Sequence, residues 1–275
     1  LVGGPVRVVR SPAASSTAAP PGPEVRRYDL APIAEEPLRR TIATTALFDW
    51  LNSEGDKRRE REFRELYRLG LRPGALVRAD RADAGEFGKL VGTLVHRSLE
   101  LGAALPADRE ARREFLEVRA AALAADGLDR TTTDAIAQAA LEILDEVLAD
   151  HPFRELLDAE GESEVDFALP LGDWVVTGRY DRLVRIRGEW AIVDWKTDRG
   201  APDSIAAKYR EQMALYAAAL WESLPDNERP ATVDVYLAMT GARAIRTLRF
   251  GADELRAFRE SLRARLEILG KPSDA

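Results

Sequence analysis

The feature that most restricts how this chain folds is a pair of β-rich segments, Trp174–Ile186 and Glu189–Trp195, separated only by Arg187-Gly188. Both are rich in β-branched and aromatic residues with partial alternation, the pattern of strands. A two-residue connection permits little besides an antiparallel hairpin, although Arg-Gly is a weaker turn signal than Asn-Gly or Asp-Gly. The turn sets the register: Ile186 faces Glu189, Arg185 faces Trp190, and Asp181 faces Asp194. Opposed residues point to one sheet face with Cβ atoms about 4.5–5.5 Å apart, so the hairpin is expected to bring two carboxylates together. Lys196 falls on the same face as Asp194, and Trp195 points away.

The flanking segments are of two kinds. Upstream, Thr41 to about Leu69 is helical in character and contains the mixed charge run Lys57–Arg64, which reads as a solvated face. Further helices are expected at Ala84–Leu101, Glu110–Ala125 and Thr132–Ala149, with Thr133 or a neighbour capping the last. Pro106 and Asp126-Gly127 are the breaks, and His151-Pro152 reads as a helix ending. From Glu162 the period changes. Strands are expected at Glu162–Leu169, in the hairpin, at Thr232–Met239, and after Thr240-Gly241 to Phe250; helices are expected from Pro202 to about Trp221 and from Asp253 to Leu269. This order predicts an α/β core preceded by a helical lobe.

Composition removes several classes of chemistry. The 275 residues include no cysteine, which excludes disulfides, thiolate metal sites and a cysteine nucleophile. Two histidines are too few for a multi-histidine site, so any metal should be a hard cation held by carboxylates. No window approaches the roughly 18 apolar residues of a membrane span, no secretory signal is visible, and the absence of cysteine fits the cytosol. There is no GxxxxGK[ST] loop, hence no ATP site of that kind. A net charge of −7 weighs against tight autonomous DNA binding, though not against a strand delivered by a partner. Ser11–Pro23 has the composition of a linker, and the chain starts at Leu1; we expect the C-terminal part of a longer polypeptide.

Two opposed aspartates normally repel one another, and a divalent cation between them turns the repulsion into binding. The backbone carbonyl of Trp195 offers a further oxygen. With Lys196 to stabilise charge or hold a water, the set suits phosphodiester hydrolysis. An exposed Asp-x-Lys on a solvated strand is the competing reading, but the apolar run Ala191-Ile192-Val193 implies a buried strand, where charges need a partner.

At this point a family likeness emerges. GRYDRLVRIRGEWAIVDWKTD followed by KYREQMALYAAAL resembles the RecB-type nuclease domain of bacterial helicase–nucleases of the AddA and RecB kind, within the PD-(D/E)XK superfamily. The pattern is carried by Gly178 and Asp181, then Asp194-Trp195-Lys196, then Gln212 and Tyr216, with Trp195 where tyrosine is usual. The segment GTLVHRSLE resembles the family's helix with a metal-proximal histidine, here His96, and Glu164 matches an acidic position ahead of the Gly-x-x-Asp strand.

The resemblance implies a restriction-endonuclease-like α/β fold, a mixed sheet flanked by helices and preceded by a helical lobe. The expected division is a linker over residues 1–40, the lobe over 41–160 and the core over 161–275, with 41–275 one integrated domain. The implied metal ligands are His96, Asp181, Asp194 and the Trp195 carbonyl, for Mg²⁺ with Mn²⁺ able to substitute. Asp181, Asp194, Lys196, Gln212 and Tyr216 form the implied catalytic set.

On its own residues, His96 would read as packed or surface-exposed. Gly92, one turn earlier, would let that helix face approach another element. Glu164 is either a carboxylate behind or bridging the metal or an edge-strand charge, and Arg179 and Arg185 contact phosphate or pair with carboxylates. Tyr209 reads as sheet packing, whereas Gln212, on an apolar helix, needs a polar partner. The implied substrate is DNA, as a single strand fed by a helicase motor in cis or trans. The alternative is a silent copy of the fold that guides DNA.

Overall fold

The computed structural model describes residues 40–52, 84–123 and 129–270; Ser11–Pro23, Lys57–Arg64 and Asp126-Gly127 lie outside them. Helix was expected from Thr41, but Arg40–Ala43 is a strand, β1, and helix α1 spans Thr44–Leu51. The reason is tertiary: β1 pairs in parallel with the start of β3 (Trp174–Ile186), Ile42 opposite Val176. Local helical preference yields to a sheet partner more than 130 residues away.

The helical lobe comprises α2 (Ala84–Leu99), α3 (Arg109–Leu123), α4 (Arg130–Ala149) and α5 (His151–Asp158). Asp129, rather than Thr133, caps α4 by accepting from Thr132 N–H (2.8 Å), since an N-cap side chain must reach the first turn from outside it. Asp150 likewise caps α5, so His151-Pro152 opens a helix where an ending was expected. Proline at the first turn loses no intrahelical hydrogen bond.

Five further elements complete the chain's sheet and its cover: β2 (Gly161–Leu171), β4 (Glu189–Lys196), α6 (Pro202–Ser223), β5 (Thr232–Met239) and β6 (Ala244–Gly251), closed by α7 (Ala252–Gly270). The sheet is mixed, with order β1-β3-β4-β5-β6 and β2 on β3. Parallel β4 and β5 are joined by α6, which needs a crossover connection of that length. The fold is therefore α/β, a six-stranded mixed sheet flanked by helices, as expected.

Two apolar cores lie on either side of the sheet. One holds α6, α7, α1 and the residues Val176, Tyr180, Ile192 and Val235. The other joins α2–α5 to Val184, Ala191, Val193, Trp195 and Ala238. The central strands β3 and β4 contribute to both, which is why their hairpin reads as apolar.

The turn fulfils the sequence expectation: Arg187 and Gly188 both have positive φ, as a two-residue hairpin requires. The ladder runs in the expected register from Ile186↔Glu189 to Arg182↔Val193, and there it stops. The expected Asp181–Asp194 pair is not formed. On the other edge of β3, the β2 register passes from Ser163↔Arg182 to Val165↔Tyr180, omitting Glu164 and Asp181. Glu164 has φ 56°, a left-handed conformation unusual for a non-glycine residue.

One residue is thus left out of each strand, so the register sum survives while the alternation of faces shifts by one. Tyr180 and Leu183, three residues apart, pack in the same core, while Val184 faces the lobe. A bulge of this kind turns Arg185, beyond it, to the opposite face from the one that unbroken alternation would give.

Candidate active site

Asp181 stands on β3 between the stretches that pair with β1 (Trp174–Thr177) and with β4 (Arg182–Ile186), both on the edge of β3 away from β2. Its carboxylate takes the place of a ladder partner: Trp195 N–H donates to Asp181 Oδ2 at 2.8 Å. Within a strand the N–H and C=O of one residue face the same neighbour. The Trp195 carbonyl therefore also turns toward β3, while its indole stacks on Phe153 in the lobe core, centroids 6.5 Å apart. Gly178, three residues before Asp181, is required by close packing, because a Cβ there would lie 2.4 Å from Thr44 Oγ1 and 2.5 Å from the Phe167 ring.

Helix α2 brings His96 to the same place. Gly92 permits it: a Cβ at that position would sit 2.8 Å from Thr197 Oγ1, just beyond β4. His96 Nε2 lies 2.8 Å from Asp181 Oδ2, and its Nδ1 lies 2.6 Å from Glu100 Oε1, one turn along the helix. Burial alone would lower the imidazole pKa, but the two carboxylates outweigh burial and push it up to about 9. Ligand atoms of His96, Glu164 and Asp181 all fall within 4.8 Å of one another. Glu164 Oε2 also accepts from Arg179 Nη1 at 2.7 Å.

Asp194 and Lys196 lie on the α6 side of β4. Asp194 is 1% exposed, and Lys196 Nζ approaches its Oδ2 to 2.5 Å as an ion pair. Apart from that ion pair, this buried oxygen has no hydrogen-bond partner among the described residues. Burial pushes the Asp194 carboxyl up to about 6, aided by the charge of Asp181 and opposed by Lys196. Burial would lower the Lys196 ammonium, but Asp194 and Asp181 together hold it above its ordinary range.

From α6, Gln212 Nε2 donates to Tyr216 Oη at 3.1 Å, which supplies the polar partner the sequence demanded. Burial raises the Tyr216 phenol to about 12, so it is a neutral donor. It stacks edge-on with Phe167 and Tyr180.

The expected residues are gathered unevenly. His96, Asp181 and Glu164 form one cluster, with the Trp195 carbonyl turned toward it, while Asp194 is held by Lys196 beside Tyr216. Arg179 is occupied by Glu164 and Asp166, and Arg185 lies near the hairpin turn, donating to Gly188 O and stacked over Trp190 at 4.4 Å. Neither arginine lines the cleft beside the cluster, a space of about 540 Å³ between α2 and the β4–α6 connection.

Three residues of that neighbourhood went unrecognised. Glu100 is four residues after His96, a spacing that places both on one helix face. Asp198 continues the every-second-residue series of Asp194 and Lys196. Tyr209, read as sheet packing, carries its ring 4.8 Å from Lys196 Nζ and donates from Oη to Asp198 Oδ2 at 3.0 Å.

The donor set fits a divalent metal. It combines hard carboxylate oxygens, an imidazole and a freed backbone carbonyl, the mixture that oxygen-seeking cations accept. Asp194 Oδ2, buried beside the Lys196 ammonium, is a polar atom that a metal or its water would also satisfy.

A six-stranded mixed sheet flanked by helices, with Asp181 beside the Asp194-Trp195-Lys196 strand, is the arrangement that the nuclease resemblance implied. The match of a family model is correspondingly specific: the PD-(D/E)XK nuclease superfamily matches residues 60–273, most of the chain, and the chain belongs to that superfamily. Its members use divalent metals. No curated protein matches the chain in sequence.

Among solved structures, an Eubacterium rectale protein described as a candidate exonuclease is 16% identical, with TM-score 0.47 and coverage of 84% of this chain and 80% of that one. The protein SSO0001 is also 16% identical, with TM-score 0.30 and coverage of 71% and 91%. No helix among the described residues is long and apolar enough to cross a membrane.

Proposed function

We propose that this chain is a Mg²⁺-dependent DNA nuclease, with Mn²⁺ able to substitute, in which His96, Asp181, Asp194 and the Trp195 carbonyl hold the metal and Glu164 assists. The observation that carries this reading is the interruption of the β2–β3 and β3–β4 ladders at Asp181, where its carboxylate meets His96 and the Trp195 N–H. When bound, a divalent cation supplies charge stabilisation at a phosphoryl oxygen and acidifies a water.

The chain's own groups divide the remaining work. Lys196, kept protonated by Asp194 and backed by the Tyr209 ring, is a donor toward developing negative charge rather than a base. Gln212 fixes the Tyr216 hydroxyl, which backs Asp194 and Lys196 as a neutral donor. Glu100 fixes the orientation of His96, so that Nε2 faces the metal. The cleft along α2 admits the strand.

The finer reading places 41–275 as one integrated nuclease domain after a linker, in the cytosol, as the C-terminal module of a bacterial helicase–nuclease in double-strand-break processing. It rests on the likeness of the Gly178–Tyr216 motifs to RecB-type domains and on the acidic net charge, which suits a strand fed by a motor. The test is cleavage of single-stranded DNA with Mg²⁺ by the wild type beside Asp194→Ala. We expect cutting only by the wild type. Equal cutting by both refutes the site, and no cutting with any divalent metal, even after fusion to a DNA-binding module, refutes the activity.

A further inference from the structure

Many of the exposed arginines among the described residues are paired with carboxylates. A cleft of about 740 Å³ beside Trp221 is lined by Arg229, Arg256, Arg259 and Arg263. Each of these has a carboxylate partner, namely Asp226, Asp253, Glu222 and Glu267. In the cleft at the candidate site the carboxylates are likewise taken: Glu100 by His96 and Asp198 by Lys208.

Lys89 and Arg97, which line the same cleft from α2, are exposed and have no carboxylate within ion-pair distance among the described residues. They are eight residues apart on one helix row, about 12 Å along the axis. Arg97 also lines a smaller hollow of about 120 Å³ that it shares with Arg119 of α3. Arg119 too lacks a carboxylate partner among the described residues, and its guanidinium lies 4.3 Å from the Phe115 ring. Stacking on its flat face leaves the edge N–H groups free for oxygen acceptors.

We propose that Lys89, Arg97 and Arg119 form a phosphate track, on which the backbone of a single DNA strand crosses from α3 over α2 into the cleft. In a chain of net charge −7, three adjacent cations without a carboxylate partner among the described residues, leading to a cluster of metal-type ligands, form a local field of the sign phosphates require. The track differs in kind from the metal ligands: it positions the strand and carries no sequence information. This inference rests on the reading of the site as a DNA nuclease, and its test is independent of cleavage.

The test measures binding of fluorescein-labelled oligo(dT) to the full chain by anisotropy in EDTA, across about 50–200 mM salt. We expect Lys89→Gln/Arg97→Gln/Arg119→Gln to weaken binding about tenfold or more at the lowest salt. The slope of log affinity against log salt should fall by about 2, since each phosphate contact to a single strand contributes about 0.7. A control with the same loss of charge at paired sites, Arg109→Gln/Arg154→Gln/Arg263→Gln, should keep the wild-type slope. Equal effects of both triples, no effect of the first, or no binding by the wild type at the lowest salt each overturn the track. Cleavage by the wild type, lost in Asp194→Ala, decides the nuclease reading separately.

Discussion

From the Arg187-Gly188 turn to Arg182 and Val193, the β3–β4 hairpin is a regular ladder, with Val184, Ala191, Ile192 and Val193 buried at its inner end. Beyond those two residues the same strands carry Asp181, Asp194 and Lys196 and no longer pair with each other. In the regular half, Ile192 and Val193 are 0% exposed, and burying each contributes about 1.5–3 kcal/mol. In the open half, Asp181 replaces a backbone partner and Asp194 is buried beside a lysine, arrangements that add little to stability. The contrast teaches that the regular half acts as a clamp, holding in place charges whose mutual repulsion would otherwise separate them.

The contrast is sharpened by substitution, beginning with the largest effect. Asp181→Asn keeps an oxygen for the Trp195 N–H but loses the charge, so DNA cleavage should fall on the order of 10³-fold or more while the fold persists. Initial rates together with a thermal melt check this, and an unchanged rate would remove Asp181 from the site. Ile192→Ala should do the reverse. It should cost about 2–5 kcal/mol in urea unfolding and leave cleavage per folded molecule near wild type; a cost well below that range would mean the ladder is not the clamp.

Smaller effects probe the contact between the lobe and the open half. Glu100→Gln should weaken Mn²⁺ binding, read by calorimetry, about 10–100-fold through loss of the hydrogen bond that orients His96. Wild-type affinity in that variant would leave Glu100 without a part in the site. Gly92→Ala forces a Cβ to within 2.8 Å of Thr197 Oγ1. Overpacking of about 1–3 kcal/mol is partly offset by about 1 kcal/mol from the better helix propensity of alanine. Thr197→Ala should restore most of the difference in a double-mutant cycle, and additive effects would show that α2 does not rest on that residue.

Much of this could be read from residues close in sequence. The hairpin turn, the register as far as Arg182↔Val193, the strand Thr232–Met239 and the pairing of Gln212 with a polar neighbour all follow from local spacing. Other expectations failed, for nonlocal reasons and for local ones. Thr41–Ala43 is strand because β3 offers a partner edge. His151 opens a helix because Asp150 caps it. Asp181 does not pair with Asp194 because Glu164 and Asp181 are left out of their ladder together. Neither residue carries the glycine that would advertise a bulge.

What the sequence determined by itself is therefore the clamp: a two-residue turn leaves almost no conformational freedom in how the strands beside it pair. What only the tertiary structure decided is the opening beyond it. His96 and Glu164 reach Asp181 from elements 85 and 17 residues away in the numbering. Loops of those lengths close on many possible geometries at nearly equal entropic cost. The choice among them was made by packing: the Gly92–Thr197 approach, the Gly178–Thr44 contact, and a β2 strand that kinks at Glu164 to leave Asp181 unpaired.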